Sequence, residues 1–268
     1  MTRTTSTDTR FRWAWSAALA WFVAGAGYTA TAVGGSLTLG TGVDYSTGKY
    51  GGSTSTDVLY VPFYARAEIG RWLFRLTVPQ INISSQGRAV IVDGRPIVVA
   101  DPSAPRTTAS GIGDTVAAIG YNILDGERMG LIFDLYGKVK FPTGDSAKGL
   151  GTGEYDYAVQ ADIVKSLGRV SLLGTVGYRS LGDPPGVEFR DVWYGGAGLA
   201  VRLDDHQSAG VLYDYREPST AQGFHQSELT AYLSRRITPE LKLQIYGIRG
   251  LSDGSPAWGG GVMLSRKF

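Results

Sequence analysis

The 268-residue chain has no cysteine, two histidines, three methionines and only 11 prolines. Without cysteine there is no disulfide framework, thiolate metal site, thiol nucleophile or lipid-anchored N-terminal Cys. The two histidines, His206 and His225, are well separated and have no thiolate to join them, so no metal site and no cofactor is expected. Few prolines and no G-X-Y period exclude collagen and Pro/Gly-rich disorder. Glycine is nonetheless abundant, at 38 of 268 positions, roughly twice the usual ~7%. Neither charge dominates, with 26 Lys+Arg against 24 Asp+Glu. That balance leaves no electrostatic footprint for a nucleic acid. Beyond the N-terminal stretch, no apolar run approaches the roughly 20 residues of a spanning helix, which excludes a helical membrane protein.

The N-terminus carries Arg3, Arg10 and Arg12, then an apolar stretch from Trp13 to Tyr28, then Ala30-Thr31-Ala32. A basic start, a short apolar run and a small-x-small pattern predict a cleavable signal peptide over residues 1–32. The expected mature domain, residues 33–268, then loses three arginines and one aspartate and is formally neutral.

Within it, apolar and polar residues alternate in segments of about 9–12 residues, the length of a tilted membrane strand. From Leu131 to Phe141, Leu131, Phe133, Leu135, Val139 and Phe141 share one face. Ile132, Asp134, Tyr136, Lys138 and Lys140 share the other. The same rhythm runs through Leu37–Ser46, Leu59–Ile69, Trp72–Asn82, Asp114–Leu124, Tyr155–Leu167, Val170–Arg179, Val192–Leu203, Ala209–Arg216, Ser227–Ile237, Leu241–Leu251 and Trp258–Phe268. No 3.6-residue period persists, so helices are expected to be minor.

Alternation alone fits a soluble sandwich as well as a membrane barrel. The connections separate the two. Gly70-Arg71, Asp125–Met129, Gly168-Arg169, Asp204–Gln207 and Thr238–Glu240 are tight, whereas those between them are longer. Short turns on one rim and long loops on the other are the bacterial outer-membrane arrangement. The fold class expected is therefore all-β, a transmembrane antiparallel β-barrel of twelve strands. Its expected location is the outer membrane, with lipids as partners. Trp72, Tyr45, Tyr157, Tyr178, Trp193, Tyr213, Tyr215 and Trp258 fall near strand ends, where interfacial girdles lie. The aromatic terminus Phe268 resembles the signal by which barrel-assembly machinery takes up the last strand.

Two stretches carry a family resemblance. Lys138-Val-Lys140-Phe-Pro142-Thr143-Gly144-Asp145 is followed by Gly149-Leu-Gly151-Thr-Gly153-Glu-Tyr-Asp156, and Ser110-Gly111-Ile-Gly113-Asp114 leads into Gly120-Tyr121. These resemble the signature of an outer-membrane β-barrel transporter family associated with the meta-pathway of phenol degradation. The resemblance implies outer-membrane passage of small, often aromatic or hydrophobic, solutes. Physically, Pro142 ends a ladder and the glycines permit tight curvature. A phosphate-cradling loop would need a helix after the glycines, and here a strand is expected.

The inward face of these strands is predicted to carry Arg66, Glu68, Arg75, Asp134, Lys138, Lys140, Asp156, Asp162, Arg179, Arg202, Asp214, Arg216, Glu228, Arg236 and Lys242. Tyr60, Tyr64, Tyr136, Tyr194, Tyr232 and Tyr246 join them. Such a polar lumen is either a solute path or a stabilising plug of ion pairs. A porin-like, non-enzymatic transport barrel is thus expected, with a non-conducting structural or adhesion barrel as the alternative. One enzymatic reading remains, a lipid hydrolase using His225 and Ser227 with Glu217 as orienting acid. Finally, the 83–112 connection contains Ala89–Val92 and Pro96–Ala100 around Asp93-Gly94-Arg95, a hairpin signal. This hairpin is expected above the rim as an extension of strands three and four, or folded over the pore as a lid.

Overall fold

The computed structural model describes residues 11–14, 22–25, 35–92, 94–99, 104–126, 129–184 and 186–268. The predicted cleavage pattern Ala30-Thr31-Ala32 and the turn residue Asp93 lie outside them. Within the expected signal segment, β1 (Phe11–Ala14) and β2 (Phe22–Gly25) form an antiparallel pair.

The wall is built from β3 (Ser36–Gly48), β4 (Thr56–Ile69), β5 (Trp72–Gln86), β8 (Arg106–Ile112), β9 (Thr115–Asp125), β10 (Leu131–Phe141), β11 (Asp156–Leu167), β12 (Val170–Ser180), β13 (Val192–Arg202), β14 (Gln207–Arg216), β15 (Gln226–Arg236), β16 (Leu241–Gly250) and β17 (Trp258–Lys267). Each pairs antiparallel with its neighbours, and β17 returns to β3 with Trp258 opposite Thr47 and Lys267 opposite Thr38. β8 and β9 pair with successive parts of β5, so they act as one broken strand. The barrel therefore has twelve strands and is closed. Closure matters because hydrocarbon offers no partner for a free backbone edge.

A strand period of two leaves a side chain only two choices of face. Leu59, Phe63, Leu135, Val159, Ile163, Val176, Val211, Ile245 and Val262 are exposed on the outer face, while Tyr60, Tyr64, Asp134, Asp162, Tyr232 and Tyr246 on adjoining positions are buried inside. The aromatic girdle forms as pairs on neighbouring strands. Tyr178 meets Trp193 edge-on at 5.2 Å, Tyr45 meets Trp258 at 5.5 Å and Trp72 meets Tyr121 at 4.9 Å.

Three irregularities interrupt the described wall, one of them a register shift between Phe133 and Asp134 where β10 meets β9. Between β8 and β9, Gly113 and Asp114 shift the phase: even-numbered Ser110 and Ile112 face out above them, odd-numbered Ile119 and Tyr121 below. Pro62 of β4 stands opposite Pro79 of β5, and the β3–β4 register skips Gly42 and Val43 beside it. A proline cannot donate to the ladder, so pairing lapses there.

The long connection between β5 and β8 is partly as expected and partly not. β5 runs on to Gln86 and pairs with β8, which is the expected extension of strands three and four. The hairpin, β6 (Arg88–Val92) paired with β7 (Arg95–Val99), does not stand above the rim. It turns into the barrel mouth. Ala89 and Ile91 pack on Val58, Tyr60, Ile81 and Ile83 of the β4–β5 wall. Val90 and Val92 pack on Leu181, Phe189 and Val192 at the opposite side. Both faces of β6 are apolar, so only a site covered on both sides accommodates it.

Candidate functional site in the lumen

The family-like loop is held by one lysine. Lys140 Nζ lies 3.0 Å from Asp156 Oδ2, 3.2 Å from Asp114 Oδ2 and 2.5 Å from Thr152 Oγ1, and all four side chains are buried. The carboxylates are occupied on their other sides. Asp114 accepts from the backbone N–H groups of Gly144 (3.0 Å) and Thr152 (3.2 Å), and Asp156 accepts from Gly182 N–H (3.1 Å). A Cβ at Gly151 would sit 2.2 Å from Asp114 Oδ1, so only glycine lets that carboxylate reach the backbone. Gly149 has φ +72°, its Cβ would meet Ala89 O at 2.1 Å, and its carbonyl accepts from Ile91 N–H at 3.0 Å. The 142–154 loop thereby grips the inserted hairpin, with Leu150 in the cluster shared by both. A short 3-10 turn over Ser146–Lys148, capped by Asp145, completes the loop. Among the described residues no helix follows the glycines, as expected for a structural loop rather than a phosphate cradle. The Lys148 contacts hold the exposed Asp145 carboxyl below its usual range.

Deeper in the lumen a second ladder crosses four strands. Lys138 Nζ donates to Gln160 Oε1 (2.5 Å), Gln160 Nε2 donates to Asp162 Oδ1 (2.7 Å), and Thr175 Oγ1 donates to the same oxygen (2.6 Å). Tyr194 O–H donates to Gln160 Oε1 at 3.0 Å, and the Arg179 guanidinium lies 5.1 Å from the Tyr194 ring centre. Towards the short-turn end, Arg66 pairs with Glu68 at 2.7 Å and Arg75 lies 5.3 Å from the Tyr64 ring centre. Asp134 accepts from Asn122 Nδ2. Arg202 reaches the lower rim, donating to Gly168 O at 3.1 Å.

The structure places Arg66, Arg75, Asp134, Lys138, Lys140, Asp162, Arg179, Arg202, Asp214 and Arg216 on the inward face, with Tyr64, Tyr136 and Tyr194. It also corrects the picture of a uniformly polar interior. Ile132, Val164, Leu173, Leu212, Ile248 and Met263 face inward and cluster with Tyr64, Tyr232 and Tyr246. Their alternating partners on the outer face are apolar too, so composition alone hid them. The inward register itself would have exposed them, since it places each on the same parity as the charged residues.

At the mouth, Arg95 is buried and makes a bidentate pair with Glu228, with Nε 3.1 Å from Oε1 and Nη2 2.6 Å from Oε2. Burial would push this guanidinium down, but Glu228, Asp44 and Tyr50 outweigh it and hold it above its ordinary value. Burial pushes the neighbouring Tyr50 phenol up to about 12, and its O–H donates to Ser46 Oγ at 3.0 Å. Sequence reasoning placed Glu228 on the lumen wall but gave Arg95 no partner, because 133 residues separate them.

The hydrolase pair is not assembled. Ser227 Oγ donates to Tyr213 Oη at 3.0 Å rather than to His225, whose exposed ring lies 5.6 Å from that of Tyr215. The Glu217 carboxylate accepts from Trp193 N–H at 2.8 Å.

No protein-family model matches the chain, and no curated protein matches it by sequence. Solved structures match by shape. An outer membrane channel from Pseudomonas putida F1 superposes with a TM-score of 0.64 at 17% identity, covering 90% of this chain and 98% of that one. The NanC porin superposes with a TM-score of 0.52 at 9% identity, covering 85% and 97%. Identities this low speak to fold. With the closed wall and its outward apolar face, they make the chain a twelve-stranded bacterial outer-membrane β-barrel.

Proposed function

We propose that the barrel passes small apolar or aromatic solutes across the outer membrane, through a lumen stopped at its long-loop mouth by the β6–β7 hairpin. The observation that carries this is the two-part inner wall. A purely structural interior needs only paired charges. Here paired charges sit beside a continuous inward cluster of Ile132, Val164, Leu173, Leu212, Ile248 and Met263 with three tyrosines. Apolar surface offers burial to a hydrophobic solute, and tyrosine rings offer it stacking faces. Arg66, Arg75, Lys138 and Arg179 would then hold polar substituents, while Asp134 acts on Arg66 through charge and Asp162 holds Lys138 through Gln160. The resemblance to barrels associated with the meta-pathway of phenol degradation points to monoaromatic compounds. Cleavage of residues 1–32, delivery by barrel-assembly machinery through the strand ending at Phe268, and contact with outer-membrane lipids belong to the same reading. Arg266, 5.1 Å from the Phe268 ring centre, covers that terminal aromatic.

The test is uptake of a labelled monoaromatic acid and of a hexose by cells lacking the protein and by complemented cells. The reading predicts slower uptake of the aromatic alone in the deletion. Equal uptake in both strains favours the second reading, a non-conducting structural barrel, for which the buried Lys140 cluster speaks. The arrangement of Ser227 and His225 gives no support to catalysis.

A further inference from the structure

Arg95 does not belong to the wall. It opens β7, directly after the turn of the inserted hairpin. Its partners do belong to the wall: Glu228 on β15, Asp44 on β3 and Asp214 on β14. Asp44 and Glu228 both act on Arg95 through charge, and Asp214 interacts with Arg95 and Glu228 in the same way. Glu228 pairs with the guanidinium directly, Asp214 stands opposite Glu228 in the β14–β15 ladder, and Asp44 and Asp214 act on the guanidinium at longer range. The pairing is also incomplete. Asp44 is fully buried, and its Oδ2 accepts from Tyr246 O–H at 2.5 Å while its Oδ1 has no hydrogen-bond partner. Asp214 Oδ2 and Arg95 Nη1 are likewise buried without one. A buried carboxylate oxygen without a donor is costly. A wall that keeps two of them around a third is arranged for more positive charge than the hairpin tip delivers.

We propose that Glu228, Asp44 and Asp214 form a binding site on the lumen wall for a guanidinium or ammonium group of a small organic cation, a site filled in this structure by the chain's own Arg95. The fork geometry at Glu228 suits a planar guanidinium, whose two parallel N–H groups match a carboxylate. Among the described residues no three acidic or histidine side chains converge closely enough to hold a metal ion, which favours a cation with spread donors. The wall strands position the carboxylates without help from β6 and β7, so the site persists when the tip withdraws. A solute cation and Arg95 therefore compete. Binding of the solute releases the tip, and the apolar faces of β6 are then the remaining hold on the hairpin. The site goes beyond the solutes proposed above, and binding is measurable where no passage occurs, so either reading can fail alone.

The experiment is calorimetric titration of n-butylguanidinium, with butyrate as control, into the folded barrel in detergent. Arg95→Ala empties the site and binds butylguanidinium, whereas Arg95→Ala/Glu228→Gln binds it about ten-fold or more weakly, the loss expected for one charged hydrogen-bonded contact. The native chain also binds it more weakly than Arg95→Ala, because its own arginine competes. An Arg95→Ala barrel that binds no butylguanidinium, or binds it equally with Glu228→Gln added, overturns the site. Should Arg95→Ala fail to fold, Ile97→Cys in the otherwise native chain decides, since the sequence has no other cysteine. Butylguanidinium should raise its maleimide labelling rate several-fold and butyrate should not. A rate unmoved by butylguanidinium overturns the proposal.

Discussion

Two buried lysine- or arginine-centred clusters lie near the same end of the barrel, and they are built differently. At Lys140, one cation meets two carboxylates, each of which also accepts from backbone N–H groups, and the ligands come from one contiguous stretch and its adjacent strand. At Arg95, the pair spans 133 residues, one partner rides on a hairpin, and several polar atoms stay without hydrogen bonds. A cluster tied to the backbone through both of its carboxylates fixes a loop. One whose cation rides on a hairpin has a competing arrangement within reach, because water or another donor can take the cation's place. The first has the character of a rivet and the second of a latch.

The comparison breaks most sharply at Lys140. Lys140→Met leaves Asp114 and Asp156 buried without their cation, and removing one member of such a pair costs about 3–5 kcal/mol. Urea unfolding of the refolded barrel in lipid should show that loss. Arg95→Ala should lower the midpoint far less, since lifting the hairpin lets Glu228 hydrate. Equal losses at the two sites would erase the distinction between rivet and latch.

Next comes Gly149→Ala. The residue sits at φ +72° and its Cβ would meet Ala89 O at 2.1 Å. Left-handed backbone alone costs a non-glycine residue about 1–2 kcal/mol, and the clash must also push the loop off β6. A stability loss of about 2 kcal/mol, with hydrogen-exchange protection reduced at Ile91 N–H, would sharpen the view that this loop grips the hairpin. Unchanged protection at Ile91 would count against it. The smallest effect is expected at the girdle. Trp193→Ala removes an edge-on contact with Tyr178 at 5.2 Å, a pair worth about 0.5–1.5 kcal/mol beyond area. Its loss should leave both clusters untouched.

Much of the wall was readable in advance because strand geometry gives each side chain only two options. Leu131–Phe141 fell into faces at once, and the charged positions from Arg66 to Arg216 followed each strand's own alternation onto the inner face. The tight turns were readable for a similar reason: Gly70 and Gly168 take φ of +59° and +69°, as two-residue connections require. The hairpin's direction was not readable by periodicity. Whether Ala89–Val92 stands above the rim or enters the mouth depends on Leu181, Phe189, Val192 and Glu228, all far away in sequence. One local sign was present: β6 is apolar on both faces, which an exposed hairpin cannot satisfy. The phase shift at Gly113-Asp114 was hidden too, because one added residue reverses parity without altering composition.

The central claim, that the β6–β7 hairpin closes the passage, is tested most directly by single-channel recording of the native barrel beside one in which residues 88–105 are replaced by a short glycine-serine link. The described ladder already joins Gln86 to Arg106 across this stretch, so the shortened chain should still insert and migrate as a folded barrel. Its conductance should rise several-fold over the native chain. A folded, inserted barrel whose conductance stays at the native level would contradict the account.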